Sequence, residues 1–193
     1  AAGPPDGATP VPLAPGTVLD GKYEILERLG AGSFGEVFRV RHRTLQAEMA
    51  LKTLHPVLAV DPRIRERFLR EARLLVGLQH ANIVGLHDAG EWGGRLYMAM
   101  DLCRGETLSA ALRRRGRIPG REAAGLAARV LAALECAHAQ GVIHRDLKPA
   151  NIMLVPSAGG GVDAKVLDFG VAKVLHESSE GEGPSLTVPG AAV

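Results

Sequence analysis

The sequence predicts an α+β fold arranged in two lobes. Three observations carry that prediction. Short alternating apolar segments fill the amino-terminal half, one helical stripe interrupts them at 63–79, and a long helical stretch at 121–140 is followed by a small hairpin.

The elements follow in order. Residues 1–16 hold five Pro, three Gly and four Ala, a composition that cannot build a packed element, so 1–17 reads as a flexible leader with order beginning near Val18. Tyr23 and Ile25, with polar residues between them, predict a strand, and Glu36-Val37-Phe38-Arg39-Val40 alternates likewise. Met49-Ala50-Leu51-Lys52 is a short apolar run ending in a lysine, and Pro56 and Pro62 bracket a break. Ile64, Phe68, Ala72 and Leu75 then recur at helical spacing, with Glu66 and Arg70 as an i,i+4 pair on the other side. Val84 and Leu86 resume alternation, and Leu96, Met98 and Met100 alternate with Tyr97 and Ala99. Between 121 and 140, Leu126, Val130, Leu134 and Ala137 share one helical face, and Gly141 sits where a helix stop belongs. Ile152–Val155 and Lys165–Leu167 read as two strands joined by the turn 157–161, and the polar tail from His176 reads as a loop.

Composition excludes several classes. The 23 basic and 21 acidic side chains leave a net charge of +2, too weak a field to imply nucleic acid or anionic membrane as partner. No apolar run reaches the roughly 18–20 residues of a membrane span. The start, A-A-G-P-P-D-G-A, has neither the basic nor the apolar region of a signal peptide, and it lacks an initiator Met, so the true start is expected upstream. Cys103 and Cys136 have no paired spacing; they read as small buried hydrophobes in a reducing cytoplasm.

Three motifs carry chemistry. Gly30-Ala31-Gly32-Ser33-Phe34-Gly35 lies between two strand patterns. Alone it is weak, because an ordinary hairpin turn reads the same way. It does not open a helix as a dinucleotide fingerprint would, and it lacks the G-K-[ST] of a Walker A loop. A glycine hairpin can nevertheless lay backbone N–H groups over phosphates. The second motif, His144-Arg145-Asp146-Leu147-Lys148-Pro149-Ala150-Asn151, is far more specific. It combines a carboxylate to accept a hydroxyl proton, an ammonium to offset charge on a transferring phosphoryl group, and an amide oxygen for a metal. The third, Asp168-Phe169-Gly170, places a second carboxylate after a strand, suited to Mg²⁺.

Together these motifs resemble the protein-kinase superfamily in order and spacing over roughly residues 20–175. The form H-R-D-L-K-P-x-N is similar to serine/threonine kinases, and the chain looks most like bacterial kinases of the eukaryotic type (Hanks-type). The resemblance implies a β-rich N-lobe with one main helix and a hinge at 18–103, then a partial helical C-lobe at 104–193. It implies that Gly30, Ala31, Gly32, Ser33, Phe34 and Gly35, flanked by Leu29 and Glu36, cover the ATP phosphates. Val37, Ala50 and Met153 would enclose adenine. Met100, Asp101, Leu102 and Cys103 would form gatekeeper and hinge, and Glu106 would contact ribose. Lys52 would hold phosphates and pair with Glu71. Asp146 would be the catalytic base, Lys148 would offset charge on the transferring phosphoryl group, and Asn151 and Asp168 would be the Mg²⁺ ligands. Arg145 goes with control by phosphorylation of the activation loop, where Ser178, Ser179, Ser185 and Thr187 lie; Thr187 is the expected site. ATP and Mg²⁺ are the implied cofactors, Ser/Thr hydroxyls of proteins the implied substrates, and a dimer is one implied arrangement for autophosphorylation.

Elsewhere the residues imply less. The basic run Arg113, Arg114, Arg115, Arg117 and Arg121 reads as a solvated face. His144 is expected to pack beside the catalytic loop. The chain stops at Val193 within what resembles the activation segment, so a C-terminally truncated catalytic domain is expected, with apolar surface on the helix at 121–140 left without its partner. Two readings follow: a serine/threonine kinase present as an amino-terminal fragment, or a non-catalytic, pseudokinase-like module that binds nucleotide.

Overall fold

The computed structural model describes residues 12–32, 35–157 and 159–169. Its first lobe is a six-stranded antiparallel sheet. The strands are β1 (Val18–Leu19), β2 (Tyr23–Gly32), β3 (Gly35–His42), β4 (Ala47–Leu54), β5 (Leu86–Trp92) and β6 (Arg95–Asp101), in the order β1-β2-β3-β4-β6-β5. Between β4 and β5 lie the single turn α1 (Pro56–Ala59) and the main helix α2 (Pro62–Val76).

Two apolar clusters cover the two faces of this sheet. Leu54, Leu96 and Met98 pack with Ile64, Phe68, Ala72 and Leu75 of α2. Tyr23, Ile25, Phe38, Val40, Leu51, Tyr97 and Ala99 form the second cluster on the opposite face. That is why β6 is apolar at consecutive positions: Leu96 through Ala99 are all buried, with alternate side chains serving alternate clusters. Burying one such side chain contributes about 1.5–3 kcal/mol.

The start of α2 is fixed locally. Pro62 supplies a helical φ without needing a donor, and the Asp61 carboxylate accepts the Arg63 N–H at 2.8 Å. The helix ends at Val76 rather than 79. There Leu78 N–H turns back to the Leu75 carbonyl at 3.0 Å, and the Leu78 side chain is buried. The expected Glu66–Arg70 pair does not form; Arg65 instead reaches Glu91 of β5 at 3.4 Å.

Order begins earlier than Val18. Gly16 N–H donates to the Ile25 carbonyl at 2.8 Å, Ile25 N–H donates to Thr17 at 2.9 Å, and Leu13 packs on the second cluster. Residues 1–11 of the expected leader lie outside the described residues.

The second lobe holds α3 (Leu108–Arg115), α4 (Gly120–Ala139) and a three-stranded sheet of β7 (Glu106–Thr107), β8 (Ile152–Pro156) and β9 (Val162–Val166). Thr107 caps α3 by accepting the Ala110 N–H at 3.1 Å. Leu126, Val130, Ala133 and Ala137 form the buried stripe of α4, and Gly141 follows with φ 74°. Arg129 of α4 pairs with Asp163 of β9. A groove of about 530 Å³ between α3 and α4 is lined by apolar side chains including Leu112, Ile118, Leu126 and Val130. The lobes are joined behind the cleft, where Val84 N–H donates to Val166 at 3.0 Å and Val166 N–H donates to Asn82 at 2.8 Å.

Candidate active site

Strand register gathers one wall of the site. Val37 lies opposite Lys52, Lys52 opposite Met98, and Ala50 opposite Met100. Side chains two apart on a strand share a face, so Val37, Ala50, Lys52, Met98 and Met100 all lie on one side of the sheet. Lys52 is 16% exposed, and its Nζ lies 2.8 Å from Asp168 Oδ2. The resemblance implies Glu71 as a partner of Lys52, and Asp168 is a carboxylate that meets Lys52 here. Glu71 is half-buried on α2, between Phe68 and Ala72.

The glycine hairpin links β2 and β3, pairing Gly30 with Val37, Ala31 with Glu36 and Gly32 with Gly35. Its glycines have different causes. A Cβ on Gly35 would lie 1.8 Å from the Thr53 carbonyl oxygen, so Gly35 lets the hairpin rest on β4. Gly30 and Gly32 face open space, so internal packing does not demand them. Leu29 is half-exposed, and Glu36 pairs outward with Arg28 at 3.1 Å. Ser33, Phe34, Gly170, Ser178, Ser179, Ser185 and Thr187 lie outside the described residues.

The second wall is the segment around Asp146. Lys148 Nζ stands 2.8 Å from Asp146 Oδ2, and Asn151 Nδ2 donates to that same oxygen at 3.1 Å and to the Asp146 carbonyl at 2.8 Å. The Lys148 bond, then the Asn151 bond, hold the Asp146 carboxyl below its ordinary range despite partial desolvation. Asn151 gives its amide hydrogens to Asp146, so Oδ1 is the atom it offers a cation. Its carbonyl accepts the Leu167 N–H at 2.9 Å, which brings Asp168 to the same end of the cleft. An amide oxygen beside a carboxylate is a hard oxygen donor set that fits Mg²⁺ shared with phosphates.

His144 organises this segment more than its sequence position suggested. It is 2% exposed; its Nδ1 accepts the Asp146 N–H at 3.3 Å, its Nε2 lies 2.8 Å from the Leu167 carbonyl, and its ring meets Phe169 at 4.7 Å. Those partners place the ring hydrogen on Nε2. One side chain therefore ties the Asp146 segment to the Asp168 segment. Arg145 and Asp168 have φ of 63° and 57°, a strained region for side-chain-bearing residues that is concentrated at functional sites. Behind Met100, a cavity of about 30 Å³ is lined by Leu75, Leu86, Met98, Asp168 and Phe169.

Where β6 ends, the Asp101 side chain turns to Gly85 and His87, and its N–H donates to the Gly85 carbonyl at 2.9 Å. Cys103 is half-buried, and burial pushes its thiol pKa up. Glu106 is paired with Arg114 of α3, Arg115 pairs with Glu122 and Arg113 bonds Ser109, so the basic run is a solvated face laced with exposed pairs. No sequence signal separates Arg114 from its neighbours. Met153 is half-buried on β8.

Residues 23–189 match the Protein kinase domain family. The chain belongs to the protein kinase family. Its relatives include serine/threonine-protein kinase PknJ of Mycobacterium tuberculosis, 42% identical over 166 residues, covering 86% of this chain and 28% of PknJ. Serine/threonine-protein kinase pkn3 of Myxococcus xanthus is 39% identical over 176 residues, covering 91% of this chain and 32% of that protein. The crystal structure of the Mycobacterium tuberculosis PknI kinase domain superposes with a TM-score of 0.73 at 35% identity, covering 83% of this chain and 64% of that one. This kinase-family chain thus spans about a third of the full-length relatives it matches. Its fold is kinase-like, with a curled β-rich first lobe. No described helix is long and apolar enough to cross a membrane, and no cluster of three or more His, Cys, Asp or Glu suited to a metal occurs among the described residues.

Proposed function

We propose that this chain carries the catalytic machinery of an ATP-dependent serine/threonine protein kinase, with Mg²⁺ as cofactor. One observation supports it above the rest: Asn151 bonds the Asp146 carboxylate with its side chain and the Leu167 N–H with its carbonyl. A proton acceptor and two oxygen donors for a cation thereby converge at one end of the cleft, facing Lys52 on the sheet.

Mg²⁺ held by Asn151 and Asp168 would offset charge on the phosphate oxygens as the γ-phosphoryl group leaves ADP. Lys52 holds the α- and β-phosphates from the sheet side, and the open backbone of Gly30 and Gly32 leaves room above them. Asp146 receives the substrate hydroxyl. Its lowered pKa makes it a weak base, so its role is to orient the hydroxyl and take the proton late, as suits a loose phosphoryl-transfer transition state. Lys148 offsets charge on the transferring group. Glu71 supports Lys52, Glu106 meets ribose, and Val37, Ala50, Met153 and the backbone of Met100–Cys103 enclose adenine. Autophosphorylation between two copies, with Thr187 as acceptor, and a cytoplasmic location belong to the same reading.

The test is incubation of the chain with radiolabelled Mg·ATP and a generic protein, followed by phosphoamino-acid analysis. Phosphoserine and phosphothreonine are expected. Nucleotide binding without any protein label would overturn the catalytic reading in favour of a nucleotide-binding module.

A further inference from the structure

The outer side of the hinge carries a contact set that the cleft does not use. β5 and β6 pair Leu86 with Met100 and Asp88 with Ala99, so His87 is the extra residue of a β-bulge. A bulge re-aims a side chain that regular alternation would send elsewhere. Here it brings His87 Nε2 to 2.7 Å from Asp101 Oδ1. The other carboxylate oxygen accepts the Gly85 N–H at 3.0 Å, and the Asp101 N–H donates to the Gly85 carbonyl at 2.9 Å. A Cβ on Gly85 would stand 3.2 Å from Asp101 Oδ2, so a residue without one suits this approach. Asp101 ends β6 and leads into the hinge, and it is held at three points by the chain entering β5.

We propose that His87 is a positioning residue for the nucleotide site. By anchoring the Asp101 carboxylate it fixes the backbone of Asp101–Cys103, the segment that meets the adenine edge, and so raises nucleotide affinity without touching nucleotide. The inference rests on the kinase reading above. The Asp101 side chain is committed outward and cannot itself read the base, so what passes through it is backbone position. Both partners are partly exposed, at 46% and 40%, so the effect is modest.

The experiment compares wild type with His87→Ala and His87→Gln in the full chain, the glutamine retaining an N–H donor. Two readouts are taken: Mg·ATP affinity with the KM and kcat of transfer, and amide hydrogen exchange at Gly85 and Asp101 without nucleotide. His87→Ala is expected to weaken Mg·ATP binding about three- to tenfold, with kcat unchanged. It should also speed exchange at both amides, and His87→Gln should restore affinity and protection together. Exchange and affinity equal to wild type in His87→Ala would overturn the proposal, as would a loss confined to kcat. If wild type binds no Mg·ATP, the kinase reading fails on its own, and unchanged exchange in His87→Ala would still refute the anchoring of the hinge.

Discussion

Asp146 Oδ2 is held from two sides, by Lys148 Nζ at 2.8 Å and by Asn151 Nδ2 at 3.1 Å. Among the described residues its Oδ1 has no such partner, so the carboxylate is fixed through one oxygen. Because Lys148 is the largest cause of the lowered pKa, Lys148→Met should raise the Asp146 pKa toward the ordinary aspartate value of about 3.9. The sign follows from which form is stabilised. The ionised form persists to lower pH in wild type, and the pair's contribution is present above the ordinary value and lost as pH falls through the folded one. A carboxyl-detected NMR titration checks this; an unchanged midpoint would refute the assignment.

Lys52 and Asp168 form a pair that is largely shielded from solvent, at 16% and 28% exposure. Lys52→Met removes the cation that the proposed mechanism sets against the phosphates and leaves Asp168 without it. Transfer should fall by about 100-fold or more, the scale seen when a positioned transition-state donor is lost. Steady-state kinetics at saturating ATP checks it, and near-wild-type turnover would refute the role.

The close approach of Gly105 to β8 gives a stability prediction independent of catalysis. A Cβ there would lie 1.9 Å from the Leu154 carbonyl oxygen, whereas none would meet anything within 4 Å at Gly120. Gly105→Ala should cost about 1–3 kcal/mol, and Gly120→Ala should be neutral or slightly stabilising. Paired denaturant titrations would show the difference; equal midpoints would contradict the packing described.

Phe68 is 1% exposed and anchors α2 beneath the sheet, three residues before Glu71. Phe68→Ala should destabilise the fold by about 3–5 kcal/mol. Thermal unfolding would report a shift near zero if α2 were not seated as described.

Much of this was legible in the sequence because periodicity and motif act locally. Ile64, Phe68, Ala72 and Leu75 announced the buried face of α2, and Leu126, Val130 and Ala137 that of α4. The motif around Asp146 placed its carboxylate beside Lys148 and Asn151, all within five residues. What the sequence did not disclose depends on distant contacts. α2 stops short of the predicted residue 79 because Gly77 and buried Leu78 turn the chain, and α1 and β7, at four residues or fewer, are too short to show a periodicity. The Leu13–Thr17 segment looked like part of a leader by composition, yet backbone bonds to Ile25 hold it. Arg114 on Glu106 and His87 on Asp101 leave no local signal, since one depends on a helix returning to a strand and the other on a bulge. His144 was expected only to pack, whereas its two ring nitrogens join segments more than 20 residues apart.

The most direct test of the central claim is the rate of γ-phosphoryl transfer to a protein hydroxyl by wild type and by Asp146→Asn, at saturating Mg·ATP and matched stability. Transfer by wild type that falls at least about 100-fold in the variant is the predicted result. Equal rates in the two proteins, or no transfer by wild type, would contradict it.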